Sequence, residues 1–182
     1  MRLFMFLILI MMSNVLFSAS LNLVDAMKLT SLDFKNNGFI PNKYSCHGGD
    51  ISPELQWKYI PNKTVSLVLI MEDPEAPMGI WDHWILFNIP KNTTQLPENL
   101  SVLPGGAQYG KNSWGKLTYR GPCPPNGEHR YVFTVYALDI QLNLSNGVSK
   151  KTLQNAMRGH ILASATLSGR YKVNNKIHSV KK

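Results

Sequence analysis

Two short segments concentrate the residue types that could do chemistry. The first is Asp73-Pro74-Glu75-Ala76-Pro77, followed by Trp81, His83 and Trp84. The second runs Tyr119-Arg120-Gly121-Pro122-Cys123-Pro124-Pro125-Asn126-Gly127-Glu128-His129-Arg130-Tyr131. Each sets a histidine where a stiff Pro/Gly turn runs into a strand, a place suited to a small preorganised polar pocket. Two imidazoles and a phenol are hydrogen-bonding groups matched to phosphate oxygens. Asp73 can accept from one imidazole and fix its tautomer and orientation. A pocket of this kind binds an anion and needs no nucleophile.

Other chemistries fit less well. Two His and one Asp are also a metal-ligand set, but there is no HxH or HExxH spacing, and no CxxC for zinc or redox work. A hydrolase needs an activated Ser or Cys beside a His. There is no GxSxG, and Cys123 sits in a Pro-rich loop where packing or a disulfide accounts for it. The expected site therefore has no catalytic residue, no metal and no cofactor.

The elements that must position these groups read as strands. Val65 to Glu72 is a continuous apolar run, Trp84 to Ile89 another stopped by Pro90, and Arg130 to Leu138 is aromatic and β-branched. Ala163 to Tyr171 reads as a last strand, after a helix capped by Ser149 and running to His160. Leu153, Met157 and Ile161 would be its buried stripe. Pro90 to Gly115 reads as one long loop. With no βα repeat, the fold class is mainly β: an antiparallel two-sheet β-sandwich with one or two peripheral helices. Alternation puts His129, Tyr131, Phe133 and Val135 on one strand face, with His129 at a cleft mouth, where its removal would cost little fold. The same rule groups His83 with Ile85 and Phe87. Among the tryptophans (57, 81, 84 and 114), Trp81 is the best pocket wall, lying between the Asp73 turn and His83.

Bulk properties bound the rest. The chain has 182 residues, 44% hydrophobic and 16% charged, with a net charge of +8. That suits one globular domain and argues against disorder. The basic residues form no block, zinc-finger pattern or basic helix, so nucleic acid is not an expected partner. Arg2, the apolar run Leu3–Met12 and the small residues before Met27 read as a signal peptide over residues 1–26, cut after Ala26 or near Ser20. The apolar run is too short for a stable membrane span of about 20 residues. The protein is therefore expected to be exported, periplasmic or secreted. The domain would cover residues 27–171, with a basic tail over 172–182. The two cysteines, Cys46 and Cys123, form a candidate disulfide.

The two segments strongly resemble the signatures of the phosphatidylethanolamine-binding protein family, also called Raf kinase inhibitor-like proteins. Asp73 to Pro77 with His83 is similar to its D-P-D-A-P…H pattern, with Glu75 where Asp is usual. Gly121-Pro122, Pro124-Pro125 and His129-Arg130-Tyr131 are similar to its G-x-P-P…H-R-Y pattern. Ser52 to Trp57 looks like the family's early SPxLxW segment, and Trp81 to Trp84, Asn112 to Gly115 and Ala156 to Ala163 look like its bacterial and archaeal branch. The resemblance implies a sandwich with a small anion cavity lined by Asp73, His83, His129 and Tyr131, walled by Glu75, Trp81, Pro124 and Pro125. It implies non-enzymatic binding of a small phosphorylated or anionic ligand such as phosphate or a phospholipid head group. A protein partner, a kinase or protease to be inhibited, is the alternative. The oligomeric state stays open, a homodimer included.

Overall fold

The computed structural model describes residues 26–173. The expected leader up to Asp25 and the tail beyond Val173 lie outside these residues. Ten strands and one helix follow in chain order: β1 (Lys28–Thr30), β2 (Gly38–Phe39), β3 (Leu55–Lys58), β4 (Ser66–Asp73), β5 (Trp81–Pro90), β6 (Gln95–Leu96), β7 (Gln108–Lys111), β8 (Glu128–Leu138), β9 (Val148–Ser149), α1 (Lys150–Met157) and β10 (Ile161–Lys172). They form two sheets, a small one ordered β1-β3-β6 and a large one ordered β2-β10-β8-β4-β5-β7-β9. The long pairings are antiparallel; only the two-residue strands β2 and β9 add in parallel at the edges. The mainly β, two-sheet expectation holds.

Strand β4 sits at the centre of the large sheet, which explains its unbroken apolar run. Leu67, Leu69 and Met71 face the inter-sheet core with Trp84, Leu86, Phe133 and Val135, closed by Leu29, Leu55 and Trp57. Val68 and Ile70 face the other way, onto a second cluster with Ile85, Phe87, Leu138, Leu153 and Met157 beneath α1. Ser149 caps α1, its hydroxyl accepting from the Thr152 N–H at 3.2 Å. Lys150 in the first turn pins the helix to this face by pairing with Glu72 at 2.5 Å and with Asp82.

Three local expectations need correction. Ile161 is not part of the helical stripe: α1 stops at Met157, Gly159 takes a positive φ of 83°, and Ile161 opens β10, exposed. The segment from Pro90 to Gly115 is not one loop but carries β6 and β7. Lys172 belongs to β10, opposite Glu128, so the tail starts one residue later.

Cys46 and Cys123 are bonded, closing 77 residues of separation. The bond joins the loop after the 3-10 turn Asn42–Tyr44 to the loop before β8. Reducing it, or replacing both cysteines by serine, is expected to cost about 4 kcal/mol in the chain-entropy account. Urea unfolding with and without a dithiol reductant measures this; an unchanged midpoint would show that the tie adds nothing.

Candidate functional site

The cavity opens at the end of the large sheet where β4 stops, β5 starts and β8 starts. It encloses about 290 Å³ and is lined by Asp73, Trp81, His83, Trp114, Cys123 and Pro125, with Ala76, Pro77 and Met78 from the connecting turn. Its walls are largely apolar, and Asp73 and His83 supply the ionisable groups.

His83 reaches this cavity through a β-bulge. Met71 is opposite Trp84, yet the next residue, Glu72, is opposite Asp82, so His83 has no cross-strand partner. The extra residue sends two neighbours, His83 and Trp84, to the same side. This corrects the alternation reading: Ile85 and Phe87 face the cluster under α1, while His83 meets Tyr131 edge-on at 5.2 Å on the opposite face. The His83 ring is held by an Nδ1–H donated to the Arg120 carbonyl at 2.7 Å. That bond fixes the tautomer and leaves Nε2 as a lone pair with no protein partner among the described residues. Burial pushes the His83 pKa down, outweighing the Arg120 carbonyl and the Asp73 charge, which act the other way.

A pH dependence follows from this shift. Between its lowered value and the 6.5 of a free imidazole, the unfolded chain binds a proton at residue 83 that the folded chain does not. The unfolded state holds more protons there, so stability should fall as pH drops below about 6.5. Urea midpoints across this range are expected to decline, and His83→Asn, which can keep a donor toward Arg120, should flatten the decline by up to one proton. An unaltered slope in the variant would remove His83 as its source.

Asp73 ends β4. Its Oδ1 accepts from the Glu75 N–H at 2.9 Å, shaping the turn, and its Oδ2 accepts from His129 Nδ1–H at 2.7 Å. Strand β8 keeps the expected alternation, with His129, Tyr131, Phe133 and Val135 all buried. His129 is therefore not at the mouth; it and Tyr131 stand behind the lining, His129 bonded to Asp73 and Tyr131 against His83. The Tyr131 oxygen accepts from the Cys123 N–H at 3.2 Å, and burial followed by the Asp73 charge pushes its phenol pKa up, so it stays protonated.

The remaining expected residues divide. Trp81 and Pro125 line the cavity. Glu75 does not: it is half exposed and accepts from the Arg130 N–H at 2.8 Å. Pro124 is buried beneath the loop without lining the cavity. Asp73, His83 and His129 do not bring their donor atoms to one point. Among the described residues, the close grouping of three metal-ligand types is Cys46, His47 and Cys123, two of which share the disulfide.

Two parts of the site are not among the expected site residues. Trp114 stands edge-on to His83 at 4.9 Å and to Trp81 at 5.5 Å. It is presented by buried Asn112, whose Oδ1 accepts from the Trp114 and Lys116 N–H groups, and by Ser113, which exchanges bonds with the Asp82 backbone. The Asn112–Gly115 segment is part of the family resemblance, but Trp114 within it reads only as one of the core or pocket-wall tryptophans. The second part is the Arg120 carbonyl, which no side-chain pattern can disclose.

A two-sheet β protein with a preformed pocket at one end of its large sheet is the class this architecture defines. The chain belongs to the phosphatidylethanolamine-binding protein family, whose profile it matches over residues 30–172. It is 48% identical over 149 residues to a UPF0098 protein of Methanothermobacter thermautotrophicus, covering 80% of this chain and 99% of the relative. A homologue of this family from Chlamydia trachomatis, CT736, superimposes with a TM-score of 0.78 at 44% identity, over 82% of this chain and 99% of that one. Escherichia coli YbcL, described as a new member of the mammalian family, gives 0.77 at 29% identity, over 82% and 100%.

Proposed function

We propose that the protein binds, without turning over, a small ligand that joins an anionic group, such as a phosphate, to an apolar or aromatic body. The observation that carries this reading is the unpartnered Nε2 of buried His83 in a largely apolar cavity whose other ionisable lining group, Asp73, already accepts two hydrogen bonds from the protein. An anion reaches that lone pair with a proton, either its own, as a monoanion, or one taken up by the ring. The imidazole then donates to, or accepts from, the ligand oxygen. Asp73 is already bonded to Glu75 and His129, so its charge is partly answered from the protein side. Trp81, Trp114, Met78 and Pro125 suit the apolar part. Absence of turnover is favoured because no Ser, Thr or Lys lines the cavity and the Cys123 sulfur is tied up in the disulfide.

Titrating phosphate, phosphoethanolamine and a nucleotide while following the His ring NMR signals tests the reading. His83 is expected to shift, and affinity to fall as pH rises above neutrality, because the complex holds a proton that the free species lose. If neither His83 nor His129 moves for any of these anions, the proposal fails. Export from the cytoplasm, with removal of the leader, belongs to the same proposal; N-terminal sequencing of the exported protein would read it.

A further inference from the structure

The end of the sandwich opposite the cavity has a different surface chemistry. There β4 begins at Ser66, β5 ends at Pro90, β8 ends at Leu138 and β10 begins at Ile161, as their pairings require. Strand β8 has 11 residues, so this pole lies roughly 33 Å from the cavity end. Four large apolar side chains stand exposed on it: Tyr59 at 46%, Val65 at 47%, Ile161 at 47% and Leu162 at 38%. Val65 and Ile161 flank Leu138 from either side, and Leu162 shares a shallow groove with Tyr59, Ile60 and Pro61.

Around these lie Lys28, Lys58, Lys63, Lys91 and Arg158, all exposed and without an acidic partner among the described residues. Lys28 and Lys58 are even cross-strand neighbours, a like-charge pairing that costs stability, and Lys28 Nζ lies 5.2 Å from the Tyr59 ring centroid. The acidic group nearby among the described residues is Asp139, whose carboxylate lies 2.9 Å from His160 Nδ1. Asp33 and Glu54 fall beyond the other ends of β1 and β3.

We propose that this basic, apolar pole rests on an anionic lipid bilayer and turns the cavity away from it. Aliphatic and tyrosine side chains ringed by lysines match the chemistry of a membrane interface: the apolar groups enter the head-group boundary while the lysines meet anionic lipid. The path of the chain agrees. Ala26 and Met27, the first described residues, line the same groove as Tyr59 and Leu162, so the start of the domain lies on this pole. A second copy of the chain is a poorer occupant, because pairing two such poles would set five unneutralised cations against five. A nucleic acid would answer the charge but not the exposed Val65, Ile161 and Leu162.

The test uses the full chain. The described residues hold no free cysteine, so Leu162→Cys can be labelled with a fluorophore at one site, and Asn126→Cys, in the exposed turn at the cavity end, is the control. Vesicles carry a nitroxide-labelled lipid and are made of phosphatidylcholine alone or with one-third phosphatidylglycerol. In anionic vesicles the label at 162 is expected to be quenched several-fold more than at 126. Lys58→Glu with Lys63→Glu should return it to the control level, although the leader is unchanged. Equal quenching at the two positions overturns the proposal. So does protection of the 162 label by an oligonucleotide but not by vesicles, or label-to-label contact at 162 without lipid, which would assign the pole to nucleic acid or to self-association.

Discussion

His129→Ala is expected to cost about 3–5 kcal/mol of folding stability. The imidazole is buried, and its Nδ1 lies 2.7 Å from an Asp73 oxygen that is itself nearly sealed from solvent. Truncation removes a donor and leaves a nearly buried carboxylate without its charge-assisted partner, and the second loss is the larger one. Asp73→Ala should cost a similar amount, since it also frees the Glu75 N–H that organises the turn. The double variant should cost clearly less than the sum, because no charge is left stranded. His129→Asn, with an amide near the Nδ1 position, is expected to recover part of the loss. Urea unfolding of the four proteins reads the cycle; costs that add would mean the pair does not act as a unit. Binding tests that delete His129 therefore need a stability control, because its loss damages the framework that holds Asp73 at the cavity floor.

How much of this could be read from the residues depended on whether each feature obeys a period. Strand β8 follows strict alternation at its start, so the common face of His129 and Tyr131 was legible without coordinates. The centre of the sheet was legible too, because only a strand covered on both faces has the composition of β4. His83 was found but given the wrong face. Its bulge arises from pairing across two strands and leaves no mark on the one-dimensional pattern. Strands β2, β6 and β9 have two residues each, too few for any period, and they exist because longer neighbours hold them. Ile161 satisfied the helical spacing, but Gly159 at positive φ broke the helix first. Glu75 and Pro124 were expected in the cavity wall because the family resemblance implied it; here the Glu75 carboxylate turns to the Arg130 N–H and Pro124 does not line the cavity.

The second large effect is expected at a residue with no side chain. A Cβ added at Gly121 would stand 1.9 Å from the Tyr44 carbonyl oxygen and 2.9 Å from the Ser45 Cα, both backbone atoms. Neither can rotate away, so a loop must move. The loops involved are tied on every side: the Tyr119 hydroxyl donates to the Tyr44 carbonyl, the Cys46 N–H to the Pro122 carbonyl and the Gly121 N–H to Asp50, with the disulfide beside them. Gly121→Ala should therefore cost about 3 kcal/mol, whereas Gly105→Ala, with open space around it, should be nearly neutral. The consequence reaches the cavity, because the neighbouring Arg120 carbonyl is what holds His83 Nδ1. A loop displaced at Gly121 loosens that bond and frees the ring to turn. The ring signals of His83 in Gly121→Ala should then broaden or shift, while those of His160, at the far end of the sheet, stay in place. A variant as stable as the parent, with His83 unmoved, would show that the Tyr44 loop yields more easily than its bonds suggest.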